Sequence, residues 1–113
     1  MITAQEALGR LMDGNKKYLG AEVGCGDISL ASRLRTCSQG QAPYAIIIAC
    51  SDSRVIPESI FSAGIGELFV IRVAGNVIDN HQLGSIEIRK EETHGLKVVG
   101  ALYRLSDGSV EIL

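Results

Sequence analysis

The sequence predicts an α/β fold built on a shortened, parallel-type sheet with flanking helices and a C-terminal hairpin. Residues 44–50 and 68–73 are apolar runs of strand length, which are typical of strands covered on both faces. Helical patterns lie before, between and after these runs, and strands that alternate with helices favour a parallel sheet. At 113 residues the chain is long enough for one domain, residues 1–113, and too short for two.

The composition argues against several classes of function. Eleven basic and 13 acidic residues leave a net charge of −2, so neither a nucleic acid nor an anionic membrane is an expected partner. No apolar run approaches the roughly 20 residues of a membrane-spanning helix, and the first residues lack a secretory pattern. We therefore expect a cytoplasmic protein. Cys25, Cys37 and Cys50 form no zinc-finger pattern and are odd in number, which predicts reduced thiols.

Helices are predicted on both sides of the first apolar run. Residues 3–19 form an amphipathic helix, because Thr3 and Glu6 make a capping box and apolar residues recur behind them at helical spacing. A short helix is expected around residues 28–37, and the sheet core is expected over residues 43–113. The remaining predicted elements are a helix from Pro57 to near Gly64, a helix capped by Asp79 or Asn80 and running to about Thr93, a third strand over 97–103, a turn over 106–109 and a terminal strand over 110–113.

Two polar clusters follow the apolar runs directly. One is Cys50-Ser51-Asp52-Ser53-Arg54, and the other is Ala74-Gly75-Asn76. In an open parallel sheet, ligands bind at the carboxyl ends of the strands, so both clusters belong to one candidate site. Cys50 can ligate zinc as a thiolate, and Asp52 can ligate the same ion or pair with Arg54. The same residues also fit a plain alternative, in which a buried thiol precedes a structural Asp–Arg pair that closes a loop.

The loop residues also suit an anion. The backbone around Ser51, Ser53, Gly75 and Asn76 can form a concavity of N–H groups, to which Arg54 adds a positive charge. Such a pocket requires no metal.

Several segments resemble the β-class carbonic anhydrases, from about residue 2 to residue 88. The segments that carry the resemblance are Thr3 to Leu8, Gly14 to Tyr18, Pro43 to Ala45, Cys50 to Val55, Pro57-Glu58 with Phe61, Leu68 to Asn76, and Gly84 to Glu87. The resemblance implies a zinc enzyme that interconverts carbon dioxide and bicarbonate, with zinc held by Cys50 and by a later His-x-x-Cys pair. Zinc would lower the pKa of its bound water to about 7. Asp52 would orient the hydroxide or relay its proton, and Arg54 would draw Asp52 away from the metal.

The chain departs from this family where the second half of the zinc site belongs. No cysteine follows Cys50, and no His-x-x-Cys occurs anywhere. Residues 95–113 resemble the family's closing hairpin instead, which implies that a central segment is missing. His81, His94 and Asp107 are the candidate replacement ligands, although Asp107 also suits an ordinary turn.

Two further arrangements would complete the site. Residues 97–103 could take the empty central position in the sheet, which would bring Arg104 and Asp107 towards Cys50. A partner subunit could also donate a ligand.

Three hypotheses for function follow. The first is a carbonic anhydrase whose incomplete zinc site leaves weak or no activity towards carbon dioxide and bicarbonate. The second is a non-catalytic pseudoenzyme that binds bicarbonate or another small anion. The third is a self-associating scaffold. A homodimer or larger assembly is expected in each case, because a sheet that lacks a strand leaves edges and apolar surface to cover.

Overall fold

The computed structural model describes residues 2–21, 26–76 and 96–113. Its elements, in chain order, are α1 (Ala4–Gly20), α2 (Leu30–Gln39), β1 (Ala45–Cys50), α3 (Pro57–Ile60), β2 (Leu68–Val73), a 3-10 turn (Ala74–Asn76), β3 (Ala101–Tyr103) and β4 (Val110–Ile112). The predicted helix between residues 79 and 93 lies outside the described residues, as do His81 and His94.

The N-terminal helix begins as predicted. The Thr3 amide donates to Glu6 Oε2 at 2.7 Å, and the Glu6 amide donates to Thr3 Oγ1 at 3.1 Å, which completes the capping box. Helix α2 is also confirmed, two residues further along than expected, because Ser29 Oγ caps it by accepting the Ser32 amide at 3.1 Å.

Strands β1 and β2 form the predicted parallel pair. Ala45 lies opposite Leu68 and Cys50 lies opposite Val73. The Ser51 amide extends this ladder by donating to the Val73 carbonyl oxygen at 3.2 Å. The described chain is thus of the α/β class, and its two polar clusters follow strands that end side by side.

Three predictions about the elements are wrong. The helix that begins at Pro57 ends at Ile60 rather than near Gly64, because the chain turns back at Ser62, whose φ is +49°. Only Ala49 of β1 is buried, and the other five residues of this strand are half-buried rather than covered on both faces. Residues 97–103 do not extend the parallel sheet within the described residues.

The C-terminal residues form a separate antiparallel hairpin, which confirms that part of the prediction. Ala101 pairs with Ile112 and Tyr103 pairs with Val110, and β3 and β4 make a two-stranded sheet of their own. The expected turn carries Gly108 at a φ of +81°, a backbone conformation that favours glycine. Among the elements described, β3 therefore does not fill a position beside β1.

A buried amide joins this hairpin to the N-terminal helix. Asn15 is 3% exposed; its Nδ2 donates to the carbonyl oxygens of Ile60 at 3.1 Å and Gly108 at 2.9 Å, while its Oδ1 accepts the Val110 amide at 3.0 Å. The neighbouring Gly14 has no space for a side chain, because a Cβ there would lie 1.8 Å from the Phe61 carbonyl oxygen. We call these contacts the Asn15 junction. The buried apolar side chains among the described residues are those of Ala49, Ile60, Ala63 and Leu68. In the part of the chain described, no helix is long and apolar enough to span a membrane.

Candidate functional site

The candidate site lies where β1 and β2 end. Cys50 is the last residue of β1, and the 3-10 turn from Ala74 to Asn76 follows β2 on the adjacent strand. Gly75 has a φ of +65°, and the 3-10 turn that contains it contacts β1. The parallel pairing thus brings the two polar clusters of the sequence together, as predicted.

The surroundings of the Cys50 thiol favour its ionised form. Hydrogen bonds from the backbone of Asp52 and of Gly75 lower the pKa of the Cys50 thiol, while burial and the Asp52 carboxylate act in the opposite direction. The side chain is half-buried and the thiol is free. A lowered pKa favours the thiolate, which is the form of cysteine that binds metals.

Asp52 and Arg54 form a two-pronged ion pair. Arg54 Nε donates to Asp52 Oδ1 at 3.0 Å and Nη2 donates to Oδ2 at 2.7 Å, while the Arg54 amide donates to Oδ1 at 2.9 Å. The Arg54 side-chain hydrogen bonds, followed by its amide, lower the pKa of Asp52 to about 2. The same contacts raise the pKa of Arg54.

The residues from Cys50 to Val55 form a loop, the Cys50 loop, whose conformation is a local consequence of the sequence. An aspartate that accepts the amide two residues later closes a tight turn, and Asp52 does this with Arg54. The Val55 amide then donates to the Asp52 carbonyl oxygen at 3.0 Å. The carboxylate is therefore fixed both by its own main chain and by the guanidinium, and it faces Arg54.

Arg72 is a site residue that sequence reasoning missed. Its Nη2 donates to the carbonyl oxygens of Val55 at 2.6 Å and Asp52 at 2.7 Å, and its Nε donates to that of Cys50 at 3.3 Å. A signal was present in the sequence, because Arg72 is the charged residue of the otherwise apolar run that forms β2. Its proximity to the Cys50 loop depends on the strand register, which places Arg72 opposite Ala49.

The other predicted residues have different surroundings. Ser51 and Ser53 are exposed residues of the loop, and Asn76 is the last residue of the 3-10 turn. Asp107 acts as a turn residue, since its Oδ1 accepts the Ser109 amide at 2.9 Å and the Ser109 hydroxyl at 2.7 Å. These contacts lower its pKa. Arg104 pairs with Glu111 across the hairpin.

The alternative in which residues 97–103 take the central sheet position is not observed among the described elements. β3 pairs with β4, and the described contacts of Arg104 and Asp107 lie within the hairpin.

The described residues do not fit a complete zinc site. Within residues 2–21, 26–76 and 96–113, no three His, Cys, Asp or Glu side chains are grouped so that they could hold a metal. Cys50 and Asp52 are the two potential donors in the loop, and both carboxylate oxygens of Asp52 accept hydrogen bonds from Arg54. Zinc in proteins usually takes at least three protein ligands.

Comparison with known proteins decides the family. The family model described as carbonic anhydrase matches residues 45–94. A carbonic anhydrase of Mycolicibacterium smegmatis is 42% identical over 77 residues, which cover 68% of this chain and 37% of that protein. Carbonic anhydrase 2 of Mycobacterium tuberculosis is 43% identical over a match of the same extent. The chain belongs to the β-carbonic anhydrase family.

This β-carbonic anhydrase family member spans 37% of the length of both mycobacterial relatives. A carbonic anhydrase of Pseudomonas aeruginosa is 58% identical over 41 residues, which are 36% of this chain and 19% of that protein. A solved structure of the Coccomyxa β-carbonic anhydrase in complex with acetazolamide is 31% identical, with a TM-score of 0.40 over 71% of this chain and 34% of that one.

Proposed function

We propose that this chain carries part of a carbonic anhydrase zinc site and that, by itself, it hydrates carbon dioxide weakly or not at all. The observation that carries the proposal is the donor set around Cys50. The loop offers a thiol with a lowered pKa and one carboxylate, and Arg54 already engages both oxygens of that carboxylate. The sequence contains no cysteine after Cys50, so the second cysteine that the family resemblance requires is missing from this chain.

Asp52 and Arg54 are proposed as the retained catalytic pair. The lowered pKa of Asp52, about 2, keeps the carboxylate ionised at neutral pH, and the two-pronged contact turns it towards Arg54. In the family this arrangement corresponds to an aspartate drawn away from the metal. A ligand from a second chain would therefore find the Cys50 thiol accessible on the Asp52 side.

The experiment that tests the proposal measures zinc per chain, together with carbon dioxide hydration, on protein purified without chelator. The variants are Cys50→Ala and, as the matched control, Cys37→Ala, since Cys37 is an exposed thiol on α2. We expect well under one zinc per chain and a hydration rate close to the uncatalysed rate in both variants and in the original chain. Stoichiometric zinc that is lost in Cys50→Ala and kept in Cys37→Ala would contradict the proposal, as would clear catalysis.

A second candidate is binding of bicarbonate or a similar small anion without catalysis, at Ser51, Ser53, Gly75 and Asn76. What favours it is the lowered pKa of the Cys50 thiol, because the backbone of Asp52 and of Gly75 stabilises negative charge there. Titration of the same zinc-free protein with bicarbonate, followed by the amide signal of Gly75, separates the two candidates. Saturation of that signal supports anion binding, and an unchanged signal rules it out.

We also propose that residues 1–113 form one domain that assembles as a homodimer or larger oligomer. Asn15 supports the single domain, because it links α1 to the hairpin. Exposed apolar side chains support assembly. Ile28, just before α2, is 75% exposed, Leu34 on α2 is 59% exposed, and Val98 near the C-terminus is 84% exposed. The free thiols of Cys37 and Cys50 support a reducing, cytoplasmic environment.

Sedimentation at micromolar concentration tests the assembly. We expect a species of at least twice the 12.0 kDa chain mass. Leu34→Glu, which places a charge on the exposed Leu34 face of α2, is expected to reduce the sedimenting mass, whereas Gln39→Glu, at an exposed position on another face of the same helix, serves as the control. A stable monomer of the original chain would overturn the proposal.

A further inference from the structure

Arg72 connects three points of the loop through a single guanidinium. It lies one residue before the end of β2, and its side chain crosses the end of β1. Nε donates to the Cys50 carbonyl oxygen at 3.3 Å, and Nη2 donates to those of Asp52 at 2.7 Å and Val55 at 2.6 Å. Hydrogen bonds from a charged donor are stronger than those between neutral groups, so these contacts restrain the loop more than the turn alone would.

The planarity of the peptide bond carries this restraint to the reactive groups. A peptide whose carbonyl is fixed also has a fixed N–H, which points the opposite way. The Cys50 carbonyl faces Arg72, and the Ser51 amide of the same peptide donates to Val73 at 3.2 Å. The Asp52 carbonyl faces Arg72 and also accepts the Val55 amide.

These two fixed peptides flank a third one, between Ser51 and Asp52. The first fixed peptide begins at the Cα atom that bears the Cys50 thiol. The second fixed peptide begins at the Cα atom that bears the Asp52 carboxylate. Arg72 therefore constrains both groups of the site without touching either of their side chains.

We propose that Arg72 is the positioning residue of this site, holding the Cys50–Val55 loop in the conformation that presents the Asp52 carboxylate to Arg54. The inference rests on the proposed function, since it takes this loop to be the functional site. It does not require that zinc binds or that carbon dioxide is hydrated.

The test compares Arg72→Met with Arg72→Lys by NMR on the zinc-free protein. Arg72→Met keeps an unbranched side chain but donates no hydrogen bonds. We expect the Val55 amide to exchange with solvent at least about tenfold faster, because loss of charged hydrogen bonds to the loop carbonyls releases its acceptor. The Arg54 Nε–H signal, which reports the contact with Asp52, is expected to weaken. Arg72→Lys can place its ammonium near the Nη2 position, so it should restore most of the Val55 protection.

The controls separate positioning from general stability. The Tyr44 amide donates to the Glu67 carbonyl oxygen at 2.9 Å, at the far end of the same strand pair, and should keep its exchange rate in every Arg72 variant. Arg54→Gln should remove the side-chain pair and leave Val55 protected, because the acceptor of Val55 is the Asp52 carbonyl oxygen.

Two results would overturn the inference. One is native exchange at Val55 together with a native Arg54 Nε–H signal in Arg72→Met. The other is equal acceleration at Val55 and Tyr44, which would make Arg72 a general support of the fold. If Arg72→Met does not fold, Arg72→Gln is decisive, since it must accelerate Val55 exchange without affecting Tyr44. Zinc content does not enter these measurements, so their failure is distinguishable from failure of the proposed function.

Discussion

The Asn15 junction and the Cys50 loop are both polar, yet they differ in burial and in what they do. Asn15 is 3% exposed, and three hydrogen bonds satisfy its side chain. In the loop, the Arg54 side chain is 68% exposed and that of Asp52 is 29% exposed. A buried amide that loses its partners leaves unsatisfied groups away from water, whereas an exposed ion pair exchanges its partner for solvent. We therefore expect the Asn15 junction to contribute more to the free energy of unfolding than the Asp52–Arg54 pair does.

Of the substitutions that test this comparison, Asn15→Ala is expected to change the free energy of unfolding most. Asn15→Ala leaves the Val110 amide and the carbonyl oxygens of Ile60 and Gly108 without their partner, so we expect a loss of about 3 kcal/mol in the free energy of unfolding. Urea denaturation followed by circular dichroism measures this loss. Ser53→Ala, in the exposed loop, is the control and should leave the midpoint unchanged. Equal effects of the two substitutions would remove the distinction between the regions.

Local signals in the sequence predicted much of the fold. The Thr3–Glu6 capping box and the Asp52–Arg54 pair each depend on residues two or three positions apart, and both are present as expected. The two apolar runs predicted the parallel strands, because composition and length alone identify them. Such features need no knowledge of the rest of the chain.

The contacts that the sequence did not predict are long-range ones. Asn15 meets Gly108 across 93 positions and Val110 across 95, and an asparagine within a helix gives no sign of such partners. Arg72 contacts loop residues that are 17 to 22 positions earlier in the chain. These contacts depend on the register in which β1 and β2 pair, which the sequence of either strand alone does not determine. The burial of β1 was overestimated for the same reason, since an apolar strand does not reveal which helix will cover it.

The smallest effect on stability, and the most direct probe of the loop, is expected from Arg54→Gln. The carboxyl carbon of Asp52 should titrate near pH 2 in the original chain, because Arg54 holds the pKa of Asp52 at about 2. In Arg54→Gln the midpoint should rise towards the ordinary value of about 3.9, although the charge of Arg72 still opposes a full return. Arg33→Gln on the exposed face of α2 should leave the midpoint unchanged.

The sign of the accompanying stability change follows from the direction of that shift. A carboxyl whose pKa is lower in the folded chain stabilises the fold at pH values above its unfolded pKa, and this contribution disappears as the pH falls through the folded value. The original chain should therefore lose the Asp52 contribution between about pH 4 and pH 2, and Arg54→Gln should lack most of that dependence. At neutral pH the urea midpoint of Arg54→Gln should change far less than that of Asn15→Ala, because solvent screens the exposed pair. An Asp52 midpoint near 4 in the original chain would mean that the carboxylate is free of Arg54 in solution. Asp52 would then be available as a second metal donor beside Cys50.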